Sequence, residues 1–228
     1  FILDNLNYRT VLKHAPVYDQ GLVDVVDEKG ASSLVQLFTQ SKFNFTKRFL
    51  INAGLRGHYF DLNDELVIEP RLGLSYSLGK AQSLSLGYGQ HSRLEPISLY
   101  FAEIHSDSDI SKPNKDLKVS KAHHLVFAYD ISLNPNLRLK IEPYIQFLFD
   151  VPVIPDSNFS VLNMEADWYF NEELINTGTG RNMGVEFTLE RFLKDGYYYL
   201  FTASVFDSKF NGDDGIERNT RFNTQYVF

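Results

Sequence analysis

Few residues of this chain are grouped as chemistry requires, and the groups that exist suit binding better than reaction. Residues 150–182 carry Asp150, Asp156, Glu165, Asp167, Glu172 and Glu173 against Arg181 alone, a local charge of −5, and set Trp168, Tyr169 and Phe170 among those acids. Acid beside aromatic suits a cationic or sugar-like solute, so Glu165, Asp167, Trp168 and Tyr169 are the substrate-binding candidates; a solvated loop tip has the same composition. Residues 105–109 (His-Ser-Asp-Ser-Asp) and 211–215 (Asn-Gly-Asp-Asp-Gly) offer oxygen ligands of the kind calcium accepts, without the spacing of a full calcium loop. His123 and His124 are consecutive, which in a strand sends the imidazoles to opposite faces and away from a shared metal ion. No nucleophile elbow, zincin helix or phosphate loop occurs, and the run Gly178-Thr179-Gly180 leads into a strand with no helix after it. No catalytic residue, metal site or cofactor is expected; an enzyme would need a Ser and a His assembled across strands.

The elements that must hold these residues are strands. Period-two alternation, which places one face in an apolar medium and the other in water, recurs along the chain. In residues 49–60 Phe49, Ile51, Ala53, Leu55 and Tyr59 alternate with Asn52, Gly54, Arg56 and His58. Leu72, Leu74 and Tyr76 alternate with Arg71, Gly73 and Ser75, and Leu84, Leu86 and Tyr88 with Ser85, Gly87 and Gly89. The longest run, 137–149, sets Leu139, Ile141, Ile145 and Phe147 against Arg138, Lys140, Glu142 and Gln146. With 35–45, 124–133, 185–192, 199–205 and the terminal 222–228, the reading reaches eight strands, with a ninth or tenth near the termini.

Turn residues sit at Thr46-Lys47-Arg48, Gly79-Lys80, Asn134-Pro135-Asn136 and Lys194-Asp195-Gly196. Between them fall long connections, roughly 93–118 and 150–182, and shorter ones near 61–65 and 209–219. Short and long alternate, as in an outer-membrane barrel with short periplasmic turns and long extracellular loops, and strands of about ten residues match its tilted span. Tyr59, Tyr76, Tyr88 and Tyr129 on the apolar faces suit an aromatic girdle, or ordinary cross-strand packing on a soluble sheet.

Composition agrees with this class. None of the 228 residues falls in an apolar run of the ~18 that a membrane helix needs. A net charge of −7, a pI near 5.4 and the lack of a basic patch exclude nucleic acid as a partner. Zero Cys removes disulfides and thiolate metal sites. The sequence opens on Phe1 with no export signal, so the expectation is an excerpt of a longer chain. The alternating end Phe222, Thr224, Tyr226, Phe228 has the form of an outer-membrane assembly signal and would suit a true C-terminus.

Several runs resemble the barrel of TonB-dependent receptors, particularly the branch with an N-terminal carboxypeptidase-regulatory-like domain. They are Asn52-Ala53-Gly54-Leu55-Arg56, Ile68-Glu69-Pro70-Arg71-Leu72-Gly73, Gly87-Tyr88-Gly89-Gln90-His91-Ser92-Arg93, Asn114-Lys115-Asp116-Leu117-Lys118, residues 178–191, Phe206-Asp207-Ser208-Lys209-Phe210 and Arg218-Asn219-Thr220-Arg221-Phe222-Asn223. The resemblance begins near Lys47; residues 1–30 match poorly. It implies an all-β, antiparallel transmembrane barrel segment, about 8–10 strands of a 22-stranded barrel, in the cell outer membrane. It implies import of a solute whose identity the chain does not give. The implied partners are outer-membrane lipid and the TonB complex, reached through a plug domain that these residues do not include, and a capping surface lipoprotein is compatible with it. Arg56, Arg71, Arg138, Glu142 and Glu186 are then lumen-facing candidates, as cross-strand pairs or as the lining of a solute route, and Gly54, Gly73, Gly87, Gly89 and Gly184 leave room for a plug. The alternative is a soluble or surface-exposed β-domain that binds a ligand or protein partner, with a second protein layer roofing the apolar face.

Overall fold

The computed structural model describes residues 1–15, 21–105, 110–164 and 171–228. Its long strands are β1 (Ile2–His14), β2 (Val23–Asn44), β3 (Phe49–Phe60), β4 (Glu65–Ser77) and β5 (Gln82–Arg93); after two short ones, β6 (Ile104–His105) and β7 (Ile110–Ser111), come β8 (Ser120–Asn134), β9 (Leu137–Val153), β10 (Ile175–Lys194) and β11 (Tyr197–Asn211). β12 (Glu217–Asn219) and β13 (Tyr226–Val227) are brief. All but β6 and β7, which pair with each other, form one 11-stranded antiparallel sheet in the order β1-β2-β3-β4-β5-β8-β9-β10-β11-β12, with β13 also on β11. Apart from β13, which returns to β11, each strand of this sheet pairs with the next one of the sheet in sequence, and the two outer edges do not meet among the described residues, so the sheet is an open meander.

Four tight turns share one end of the sheet. Thr46 Oγ1 accepts from the backbone N–H groups of Arg48 (3.2 Å) and Phe49 (2.9 Å), and Asn134 Oδ1 accepts from Asn136 N–H at 2.9 Å. Asp195 and Gly196 adopt φ of 57° and 86°, the paired left-handed residues of a type I′ hairpin. At the other end the connections are 15–22, 61–64, 94–119, 154–174 and 212–216.

Three sequence expectations shift. The loop read as 150–182 shrinks to 154–174, because β9 runs on to Val153 and β10 starts at Ile175. β2 reaches back to Val23, well before the alternation at 35–45 begins. The terminal strand read over 222–228 narrows to Tyr226–Val227: Asn223 N–H turns back to the Thr220 carbonyl at 3.1 Å and Gln225 takes a φ of 68°.

The packed core lies at the loop end, not along the sheet. Val25, Val26 and Phe60 from the strands meet Leu99, Tyr100 and Phe101 of α1 (Ile97–Tyr100) and its C-terminal flank, together with Leu117, Val151, Val161 and Leu174. Val151 joins this core through a bulge. Asp150 has a φ of 54° and the β9–β10 register slips beside it, so Val151 and Val153 turn to the face opposite Phe147 and Phe149 and become fully buried. Asn114, also fully buried, ties the two long loops: its Oδ1 accepts from Leu174 N–H at 2.8 Å and its amide donates to the Glu172 carbonyl at 2.9 Å. No helix among the described residues is long and apolar enough to cross a membrane.

Candidate functional site

Cross-strand register sorts the sheet into two faces of opposite character. One row runs Phe49, Tyr76, Leu84, Tyr129, Ile141, Phe187, Ala203 from β3 to β11; the next runs Ile51, Leu74, Leu86, Phe127, Pro143, Val185, Val205. Among the described residues no second layer covers this face: Leu66 is 67% exposed, Phe147 48% and Val205 59%.

The upper limit of this apolar band runs diagonally. Along β3 no charge appears on the face until Asp61, just past the strand's end, whereas on β11 the first is Asp207, which shares a row with Ala53 of β3. With strands ~4.8 Å apart and two-residue steps of ~6.8 Å, a limit that falls four steps over six strand spacings inclines at roughly 40°. Barrel strands tilt by about 35–45° to the membrane normal, so the band lies level in a bilayer only if these strands are tilted as barrel strands are.

The opposite face is polar and internally paired. Glu69, fully buried, accepts from Arg56 Nη1 at 2.9 Å and Arg71 Nη2 at 3.2 Å through one carboxylate oxygen, and from the Ser92 N–H (2.9 Å) and hydroxyl (2.5 Å) through the other. The cause is local: β4–β5 pairing stops at Arg71–Gly89, next to Pro70, which has no N–H, and the Glu69 carboxylate takes the Ser92 donor that the ladder leaves open. His58, also buried, points Nδ1 at Glu69 from 3.9 Å. Further along, Arg138 Nε donates to Asp130 at 2.9 and 3.0 Å and Nη1 lies 3.5 Å from Glu190, while Lys140 pairs with Glu142 at 2.6 Å. Glu186 stands directly opposite Glu142, a like-charged cross-strand neighbour.

Arg56, Arg71, Arg138, Glu142 and Glu186 therefore share one face, and the structure joins the first two through Glu69 but leaves them apart from the Arg138 group. Glu69 and His58 were not among the sequence candidates. Extending the alternation of Arg71 and Gly73 back through Glu69 to Glu65 would have found the glutamate.

The remaining candidates separate. Glu165, Asp167, Trp168 and Tyr169 lie outside the described residues. His123 stacks on Phe149 (ring centroids 4.9 Å) and accepts or donates at 3.0 Å with the Tyr88 hydroxyl on the apolar face, while His124 meets His91 (6.3 Å) on the polar one. Asp213 is taken up by the Thr177 hydroxyl (2.6 Å) and Asp156 N–H (2.8 Å), and Asp214 by Arg218 (2.7 and 2.9 Å) and Ile216 N–H (3.1 Å). These bonds hold both carboxyls below the ordinary carboxylate range, the Thr177 and Arg218 contacts most strongly, and the Asp156 contact, with Asp214 N–H on the Ser157 carbonyl at 3.3 Å, fastens 212–215 onto 154–158. Gly212 permits the approach, since a Cβ there would lie 2.4 Å from the Ser157 carbonyl oxygen. Among the described residues no three ligating side chains converge as a metal would require.

The family described as "TonB dependent receptor-like, beta-barrel" matches residues 2–226. No curated protein sequence matches the chain. Among solved structures, the ferric-catecholate import receptor Fiu from K12 E. coli superposes with a TM-score of 0.65 at 13% identity over 98% of this chain and 37% of that one. The outer membrane transporter YddB from Escherichia coli gives 0.63 at 12% identity (89% and 29%), and the RagAB peptide importer 0.62 at 13% (86% and 24%). The chain thus spans well under half the length of each, and at such identity the likeness concerns the fold. With a matched family profile over nearly every residue and a two-faced tilted sheet of that fold, the chain belongs to the TonB-dependent receptors, as an open segment of their outer-membrane β-barrel and not as an enzyme.

Proposed function

We propose that this segment forms part of the wall of an importer that carries a scarce solute across the outer membrane and is driven through the TonB complex by movement of a plug inside the barrel. The apolar face meets lipid, the polar face lines the lumen, and the tight turns face the periplasm. The observation that carries the reading is the diagonal apolar band, because an oblique band on an uncovered sheet has a physical use only where tilted strands cross a level slab of hydrocarbon. Solute capture belongs to the loop end, where Glu165, Asp167, Trp168 and Tyr169 are the residues to replace first, and a surface partner would seat on the same loops.

The test is made with the full-length protein. It should fractionate with outer membranes, and growth on its solute should require TonB. A product recovered from the soluble fraction, or uptake unchanged in a strain lacking TonB, overturns the reading.

A further inference from the structure

The tight turns carry a charge that the chain does not balance. Lys47, Arg48, Lys80 and Lys194 stand in or beside them against a single carboxylate, Asp195, although the chain holds 29 acids to 22 Lys and Arg. All four cations are exposed, and their side chains make no hydrogen bond or ion pair among the described residues. Asp195 lies 3.7 Å from Arg191, whose guanidinium covers the Tyr197 ring at 4.2 Å. The acids next in along the strands, Asp130 and Glu190, are on the polar face and are held by Arg138. Toward the loop end the pattern reverses, and Lys121, Arg181, Lys209 and Arg218 each reach a carboxylate.

These cations also follow the tilt of the sheet. Arg48 is one residue beyond the row of Phe49, whereas Lys194 pairs with Tyr197, six residues beyond the same row at Ala203. The difference of five residues at ~3.4 Å each, over five strand spacings of ~4.8 Å from β3 to β10, inclines at roughly 35°. That line runs parallel to the upper limit of the apolar band, so the cations mark the band's other margin at one depth. Exposed apolar side chains stand among them: Phe45, Leu78, Leu193 and Tyr197 are each at least 45% exposed.

A cation with no carboxylate, set beside exposed apolar groups, fits the level where hydrocarbon ends and phosphates begin: its stem lies along the apolar margin and its charge reaches outward. A zwitterionic headgroup compensates its phosphate with its own amine, whereas an anionic one leaves that charge to the protein. We infer that the turn rim is a recognition site for anionic glycerophospholipid, with Lys47, Arg48, Lys80 and Lys194 on the headgroup phosphates of the leaflet that faces the periplasm. The inference rests on the apolar face meeting lipid and the tight turns facing the periplasm. Each such contact favours the anionic lipid by about fivefold.

The experiment reconstitutes the full-length receptor in phosphatidylcholine vesicles and compares spin-labelled phosphatidylglycerol with spin-labelled phosphatidylcholine, reading the fraction immobilised at the protein by electron paramagnetic resonance. Averaged over the lipid around the barrel, phosphatidylglycerol should be preferred at least about twofold at low salt. The preference should vanish at about 1 M salt, where screening acts within ~3 Å, a result that needs no substitution. It should vanish also in Lys47→Gln/Arg48→Gln/Lys80→Gln/Lys194→Gln and persist in Lys115→Gln/Lys118→Gln, which alters two exposed cations of the loop end. Equal immobilisation of the two lipids, a preference that survives both salt and the turn substitutions, or one lost only in the loop-end variant overturns the proposal. Should neither lipid be immobilised, the lipid-facing sheet itself is refuted and the proposal with it; equal immobilisation of both removes the proposal alone.

Discussion

The loop end and the middle of the sheet are built for different surroundings. At the loop end Phe60, Tyr100, Val151 and Leu174 pack as a small protein core, Asn114 has its hydrogen bonds made inside the chain, and burial pushes the Tyr100 hydroxyl to titrate well above its ordinary range. A few residues below, neither face of the sheet is covered by a described residue: Leu72, Leu86 and Phe127 are about two-fifths exposed on one side and Gly73 and Gly87 lie bare on the other. The first region carries its own interior. The second exposes apolar side chains on one face and polar ones on the other, as the wall of an outer-membrane barrel does, so exposure there is the requirement of the fold and not a defect.

Substitutions can break this contrast. Phe60→Ala should cost about 3–5 kcal/mol in denaturant unfolding, as in a globular core, because Tyr100 and Val26 cannot close the space. Leu86→Arg should cost about 2–4 kcal/mol for the receptor folded in lipid bilayers, the depth-dependent penalty of a charge in hydrocarbon. At a two-fifths-exposed position on a soluble sheet the same change would cost within about 0.5 kcal/mol, so a null result breaks the comparison. Asn114→Ala leaves Leu174 N–H and the Glu172 carbonyl without partners and should cost about 1–3 kcal/mol, read as faster amide exchange across 171–174 with the strands unchanged.

The smallest effect is on pH. Asp213 and Asp214 have carboxyls lowered in the folded chain, so their contribution is fully present above the ordinary Asp value of about 3.9 and is lost as pH falls through the lowered one. Protection of the Asp156 amide should therefore hold from neutral pH down to the ordinary Asp value of about 3.9 and fail only at pH below it, whereas the Asn114 ties, which do not titrate, should persist.

What the sequence disclosed follows the same division. Strands such as 137–149 were legible because lipid on one side and polar groups on the other impose a period of two. β2 above Val35 was not, since Asp27, Glu28 and Lys29 are charged in succession and that stretch stands beyond the apolar band. Nor was the loop core: Leu99, Tyr100 and Phe101 are consecutive, and only tertiary packing distinguishes them from any apolar loop tract. The bulge at Asp150 hid the last turn of β9 by reversing which residues face inward. In the candidate site Arg56 and Arg71 were read from alternation, and the same alternation puts Glu69 on their face, but its role as the joint between them needed geometry, because it comes from a ladder interrupted beside Pro70.

The central claim is that lipid, not protein, covers the apolar face. Nitroxide labels placed one at a time along β4 and β11 of the full-length receptor in bilayers test it directly, by collision with oxygen, which concentrates in hydrocarbon, and with a water-soluble nickel chelate. The account predicts oxygen maxima at Leu66, Ile68, Leu72 and Leu74 of β4 and at Phe201 and Val205 of β11, with the limit reached at Asp207, and nickel access at the alternate residues wherever the lumen holds water. Labels on Leu72, Leu74 and Val205 that are shielded from oxygen, or that report a limit level with the register rows, would contradict it.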